Sequence, residues 1–212
     1  MTSMKVLADS LVGQQGVPEE LYQEFLSDIT EEIDRENKII TDLLSLVKMD
    51  KKAADMNIVN MNINELLENI LKRLRPIADQ RSIALILDSF RPVTADVDEV
   101  KFTLAISNLV ENGIKYNVDE GWVRVTLDAD YKYFYVTVAD SGLGIPEDSI
   151  ERIFERFYRV DKSHSREIGG TGLGLAITRS SIVMHHGTIK VSSKEGEGTT
   201  FNVKIPLSYI SS

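Results

Sequence analysis

Apolar residues recur at steps of three and four over the first fifty positions. Met4, Leu7 and Leu11 make one stripe over residues 2–12, which reads as a short helix. Gly13, Gly16 and Pro18 break it, and Pro18 followed by two glutamates suits the first turn of a new helix. Along that helix Leu26, Ile29 and Ile33, then Ile40, Leu43 and Val47, repeat at the 3.5 spacing of a bundle seam, interrupted at Glu36. Two helices joined by a tight loop form an antiparallel hairpin that needs a partner to bury its seam, so dimerisation through this hairpin is expected.

The pattern changes after Lys52, and the chain divides into residues 1–52, a helical hairpin, and residues 53–212, an α+β domain. Ile58 to Ile63 alternates as an edge strand, and Asn64 is placed to cap a helix carrying Leu66, Leu67, Ile70, Leu71 and Leu74 that ends near Pro76 to Arg81. Strands are predicted at Ile83–Leu87, Trp122–Ala129, Tyr133–Ala139, Thr188–Ser192 and Thr199–Pro206, and helices at Val97–Lys115 and Leu173–His185.

Composition narrows the class. No cysteine is present, which excludes disulfides and thiolate metal sites. No apolar run reaches the roughly 18 residues that span a bilayer, nor does the start resemble a signal peptide, so a soluble, cytoplasmic chain is expected. A net charge of −9 argues against nucleic acid as a partner. Residues 19–36 hold eight acids against Arg35 alone, which reads as a solvated helix face or as a docking surface for a basic partner.

Four segments carry candidate chemistry. Asn108 and Asn112 lie at i and i+4 on one helix face, with Lys115 a turn further on; two amide oxygens suit a hard ion such as Mg²⁺, and the lysine suits a phosphate. Asp140-Ser-Gly142-Leu-Gly144-Ile145-Pro follows a strand. Its glycines allow close approach of a ligand and its carboxylate can accept from an exocyclic amine, although a hairpin turn uses the same residues. Gly169-Gly170-Thr171-Gly172-Leu173-Gly174-Leu175 opens a helix, where bare amides make an anion site; a flexible joint is the alternative. It is neither a Walker loop nor a good dinucleotide fingerprint. Phe154 and Phe157 precede a polar stretch, and core packing also accounts for their rings.

In order and spacing these segments resemble the N, G1, F and G2 boxes of the sensor histidine kinases, in the superfamily of gyrase B, the 90-kDa heat-shock protein and MutL. Gly196-Glu-Gly198-Thr199-Thr200-Phe201 resembles the family's final glycine turn. The resemblance covers about residues 60–207 and extends upstream into the hairpin. It implies a two-layer α/β sandwich of the Bergerat type, preceded by a hairpin that forms a dimeric bundle. It implies Mg·ATP as cofactor, transfer of the γ-phosphoryl group to a histidine, and relay to the receiver domain of a response regulator. Asn112 would then be the Mg²⁺ ligand, with Asn108 beside the triphosphate. Asp140 would bind the adenine amino group, with Gly142 and Gly144 also at the nucleotide and Tyr116 and Ile145 against the ring. Lys115, Arg159 and the segment from Gly170 through Thr171, Gly172, Leu173 and Gly174 to Leu175 would hold phosphates, with Thr200 close by. Phe154 and Phe157 would anchor a nucleotide lid over residues 158–169, expected to order on binding. Asn108, Lys115 and Arg159 are the candidate catalytic residues. Relatives that hydrolyse ATP often hold a glutamate where Asn108 stands; an amide takes no proton at neutral pH, which fits a site that waits for a histidine.

The front departs from the family. Thr2-Ser3-Met4-Lys5 resembles the tail of its H box, which sets the phosphoacceptor histidine ahead of Met1 and makes the chain a fragment. His164 falls in the lid, and His185 and His186 end a helix where a cation suits the dipole. Membrane attachment, at the cytoplasmic face, would come from segments outside this chain. Two rival readings stand beside this one: a serine kinase of the anti-sigma type, and a nucleotide-responsive dimer scaffold without transfer chemistry.

Overall fold

Strict alternation builds the central sheet. In β4, Trp122–Ala129, the side chains of Val123, Val125 and Leu127 are buried while Trp122 and Arg124 face solvent. In β5, Tyr133–Asp140, Phe134, Val136 and Val138 repeat the pattern, so both strands turn one apolar face inward. The computed structural model of the chain describes residues 18–51, 56–160 and 170–209. The expected first helix, the H-box tail, the boundary at residues 52–53 and lid residues 161–169, with His164, lie outside the described residues.

Helix α1 spans Glu19–Lys51. Beyond it come β1 (Ile58–Asn62), α2 (Ile63–Gln80), β2 (Ala84–Ser89), β3 (Thr94–Asp98) and α3 (Glu99–Lys115), then β4 and β5. The described chain closes with α4 (Gly174–Met184), β6 (Thr188–Lys194) and β7 (Gly198–Pro206). Five strands run in the order β2-β4-β5-β7-β6, with β2 parallel to β4 and every other neighbour antiparallel. Strands β1 and β3 form a separate antiparallel pair. One core joins Leu67 and Ile70 of α2, Phe102, Ile106 and Leu109 of α3 and Ile182 of α4 to the inward face of the sheet. Helices on one face of a mixed sheet make the two-layer α+β sandwich expected from the sequence.

Three local readings are corrected. Asn62, not Asn64, caps α2: its side-chain oxygen accepts from the backbone N–H of Asn64 at 3.0 Å and of Glu65 at 3.3 Å. Asn64 instead reaches across to accept from the Val93 N–H at 2.8 Å. Strand β3 occupies residues assigned partly to the next helix, because Ala95 and Val97 are buried on a two-residue alternation that closes only by pairing with distant β1. Asp98 then caps α3, accepting from the Lys101 N–H at 3.0 Å. The third concerns His185, which is buried in the core. Its Nε2 accepts from the Asp98 N–H at 2.9 Å, while Nδ1 lies 2.7 Å from the Ser181 carbonyl. That pairing requires a neutral ring protonated at Nδ1, and burial holds its pKa below the ordinary value, so it is no cation for the helix dipole.

Helix α1 leaves most of its seam unburied. Leu26, Ile33, Ile40 and Leu43 are exposed, whereas Leu46, off the seam, is buried against Leu173, Ile177 and Leu104.

Candidate functional site

Helix α3 sets out its polar residues at i, i+3, i+4 and i+7: Asn108, Glu111, Asn112 and Lys115 all line one cavity of about 570 Å³. The Asn108 amide donates to the Gly174 carbonyl at 3.2 Å, tying α3 to the start of α4 and leaving the Asn108 oxygen without a protein donor among the described residues. Phe102, Ile106 and Leu109 hold the opposite side of α3 in the core. The helix therefore has little freedom to rotate its polar stripe away.

Lys115 is half-buried among cations. Burial, then Arg159 and Lys38, bring its ammonium down to about 8, against the opposite pull of Glu111, with Arg81 adding a little. Arg159 fixes its own position by donating to the Gly170 carbonyl at 2.7 Å. A side chain at Gly170 would come within 2.8 Å of the Lys115 ammonium, so the lysine tip would have to shift to admit one. Arg81 caps the last turn, donating to the carbonyls of Ile114 at 3.2 Å and Lys115 at 2.6 Å.

Asp140 ends β5 at the cavity wall. Burial raises its pKa, while hydrogen bonds from the backbone N–H groups of Gly142 at 2.8 Å and Thr199 at 3.2 Å pull the other way. Both bonds fall on Oδ1, and Oδ2 has no such bond among the described residues. Gly142 is needed beside it, since a Cβ there would meet the Tyr116 carbonyl at 2.3 Å.

The structure brings together Asn108, Asn112, Lys115, Tyr116, Asp140, Gly144, Ile145, Arg159, Gly170, Thr171, Gly172, Gly174 and Leu175 around this cavity. It sets others apart. Gly142 acts through its bond to Asp140, and Leu173 turns its side chain into the small core beneath α1. The Leu173 N–H donates to the Thr171 hydroxyl at 3.2 Å. On β7 the two-residue alternation puts Thr199, not Thr200, at the cavity. Phe154 packs on the main core, its ring centroid 6.4 Å from that of Phe201. Phe157 is exposed at a φ of 63°, and what it anchors is backbone: its N–H donates to the Gly172 carbonyl at 2.9 Å.

Several lining residues escaped the sequence reading, among them the polar Lys38, Asp42, Glu111, Glu195 and Thr199. Glu111 was within reach of it, one helical turn from Asn108 on the same face. No local signal marks Lys38 or Asp42, because only the docking of α1 brings them here. Among the described residues no cluster of three His, Cys, Asp or Glu could hold a metal. A divalent ion here would need phosphate oxygens and waters beside the Asn112 amide, a donor set that suits Mg²⁺.

Residues 97–209 match the family of histidine kinase-, DNA gyrase B- and HSP90-like ATPases. Sensor histidine kinase WalK of Bacillus subtilis (strain 168) is 32% identical over 97% of this chain and 34% of its own length. The chain thus spans about a third of the curated relatives it matches. The nucleotide-free catalytic domain of histidine kinase ThkA superposes with a TM-score of 0.64 at 28% identity, covering 72% of this chain and 97% of that one. ThkA in complex with response regulator protein TrrA matches 97% of this chain and 57% of that one, with a TM-score of 0.79 at 24% identity, a likeness of fold. No described helix is long and apolar enough to cross a membrane. Since the matched region takes in more than half of the chain and nearly all of the cavity lining, this chain belongs to the histidine kinase-, DNA gyrase B- and HSP90-like ATPase family.

Proposed function

We propose that the cavity binds ATP with Mg²⁺, and that residues 53–212 are the catalytic domain of a sensor histidine kinase. The γ-phosphoryl group passes to a histidine on a dimerisation hairpin, to which residues 1–52 belong, and from there to an aspartate in the receiver domain of a response regulator. The observation that carries this reading is the pairing, in one cavity, of the half-buried Asp140 carboxylate with the cations Lys115 and Arg159 beside a glycine loop. Asp140 Oδ2 accepts from the adenine amine, and Tyr116 and Ile145 flank the ring. Lys115, Arg159 and the loop amides neutralise and orient the phosphates. The chain's contribution to phosphoryl transfer is then positioning and charge stabilisation. Asn112 would hold Mg²⁺, which neutralises phosphate charge when bound. Asn108 takes no proton, so water is not activated and the phosphoryl group waits for a histidine. The exposed stripe of Leu26, Ile33, Ile40 and Leu43 on α1 supports a homodimer through the hairpin. In the whole protein, segments outside this chain tie it to the cytoplasmic face of the membrane.

Titration with ATP and GTP analogues in the presence of Mg²⁺ tests the site. ATP analogue should bind and GTP analogue should bind worse, because guanine offers a carbonyl where adenine offers its amine. Asp140→Ala should weaken adenine nucleotides by about tenfold or more, as the amine loses its acceptor at a cost of ~1–3 kcal/mol. Equal heats for the two bases would overturn the assignment. Transfer is tested with a separate hairpin bearing a complete H box. Label on that hairpin should be acid-labile and alkali-stable, whereas acid-stable label on a serine would favour the serine-kinase reading.

A further inference from the structure

Helix α1 meets the cavity along a single stripe. Lys38, Asp42 and Leu46 recur every four residues and so face the same way. Lys38 Nζ lies 3.4 Å from Glu111 Oε2 on α3, and Asp42 Oδ2 accepts from the Thr171 hydroxyl at 2.8 Å. Leu46 is buried against Leu173 and Ile177. Lys38 and Asp42 both line the cavity, and both lie outside the region of the family match.

The bond from Thr171 to Asp42 is the unexpected one. Thr171 sits in the glycine loop, between Gly170 and Gly172, where backbone amides and the nearby Lys115 and Arg159 make a site for an anion. A carboxylate from a distant element already holds the one hydroxyl in that loop. A carboxylate and a phosphate are both anionic acceptors, and one hydroxyl proton serves only one of them. Their charges also repel in a half-buried cavity. The other two contacts of the stripe do not share this conflict. The Lys38–Glu111 pair is exposed on both sides and holds little, and Leu46 packs below the cavity rather than in it.

We propose that Asp42 is a latch that fills, from α1, the place of a nucleotide phosphate at Thr171. Docking of α1 on the catalytic domain and binding of phosphates at the glycine loop therefore oppose each other. This rests on the ATP reading above. The coupling is reciprocal: a di- or triphosphate loosens α1, and whatever pulls α1 away raises affinity for the nucleotide by the same factor. Adenosine, with no phosphate, escapes the conflict.

The test uses the full chain. Calorimetric titrations with Mg·ADP, Mg·ATP analogue and adenosine compare the wild type with Asp42→Asn and Asp42→Ala. Both substitutions should tighten ADP and the ATP analogue about three- to tenfold and leave adenosine unchanged. The absence of native cysteine allows a spin-label pair at Leu44→Cys and Val183→Cys, both exposed sites. Their separation should grow when ATP analogue is added and stay constant with adenosine. Unchanged or weaker ADP binding in Asp42→Asn, or labels that do not move with nucleotide, overturns the latch alone. Absence of nucleotide binding in every variant overturns the ATP reading and the latch with it.

Discussion

The two ends of α3 are built to opposite rules. At the first end the Asp98 cap is buried and its polar groups are matched. Asp98 accepts from the N–H groups of Lys101 and Asn57 and from the Lys101 ammonium at 2.6 Å, and its own N–H is taken by His185. Phe102 closes this end, its ring 5.8 Å from Phe134 and 6.5 Å from His185. At the last turn Lys115 holds its charge among three other cations and one carboxylate, with its pKa down near 8. One end fixes the helix in the core; the other keeps an electrostatic debt that only an anion relieves. The last turn keeps its shape through the Arg81 cap on the Ile114 and Lys115 carbonyls and the buried Ile114 side chain.

The contrast is broken most severely at the closed end. Phe102→Ala should lower stability by ~3–5 kcal/mol, the usual loss for a fully buried aromatic, measured by urea unfolding. Nucleotide binding should survive at low urea, because no part of the cavity lining is touched. Loss of binding in a variant that is still folded would mean that the two ends are not separable.

At the open end the effect is smaller and has the other sign. Lys115→Met removes a charge that the folded state holds at a cost, since its folded pKa of about 8 lies below the ordinary lysine value of 10.5. The folded chain releases that proton more readily than the unfolded chain, so stability rises with pH between these values and is lost as pH falls through 8. At neutral pH the substitution should raise stability by about 1 kcal/mol, a figure discounted for partial exposure, while weakening nucleotide binding. Unfolding and titration on the same sample check both. A loss of both stability and affinity would show that Lys115 is already paired.

The smallest effect separates the ends by pH. His185 has a depressed folded pKa, so its contribution is present above its ordinary value of about 6.5 and lost as pH falls below it. Urea midpoints should drop between pH 7 and 5.5, a window below the Lys115 value of about 8 and above Asp98, whose side-chain and backbone partners outweigh burial and hold its pKa low. His185→Gln should flatten that drop. A slope unchanged in the variant would assign it elsewhere.

The sequence revealed the sandwich and most of the cavity because both rest on local regularities. Alternation gave β4 and β5, and the four-residue spacing gave the Asn108–Asn112 face. What it missed depends on distance. The pairing of β3 with β1 is short and non-local, and the choice of Asn62 over Asn64 as cap turns on where β1 ends. His185 reads as a helix-end cation until Asp98 is brought to it. The one-residue shift from Thr200 to Thr199 follows from strand register, which alternation alone leaves open at a strand's first residues. Lys38 and Asp42 enter the cavity only through the docking of α1, for which the heptad seam points to other side chains.

Strand β6 lies at the rim of the five-stranded sheet, paired with β7 along one side. Such a rim is a template on which a stray chain can add another strand. In this one, Lys190 and Lys194 stand four residues apart at exposed positions, Lys194 paired with the Glu197 carboxylate. A second copy laid against it would have to strip water from these charged side chains. The sheet therefore ends in a charge fence, and replacing both lysines with valine would turn a soluble rim into a seed for aggregation.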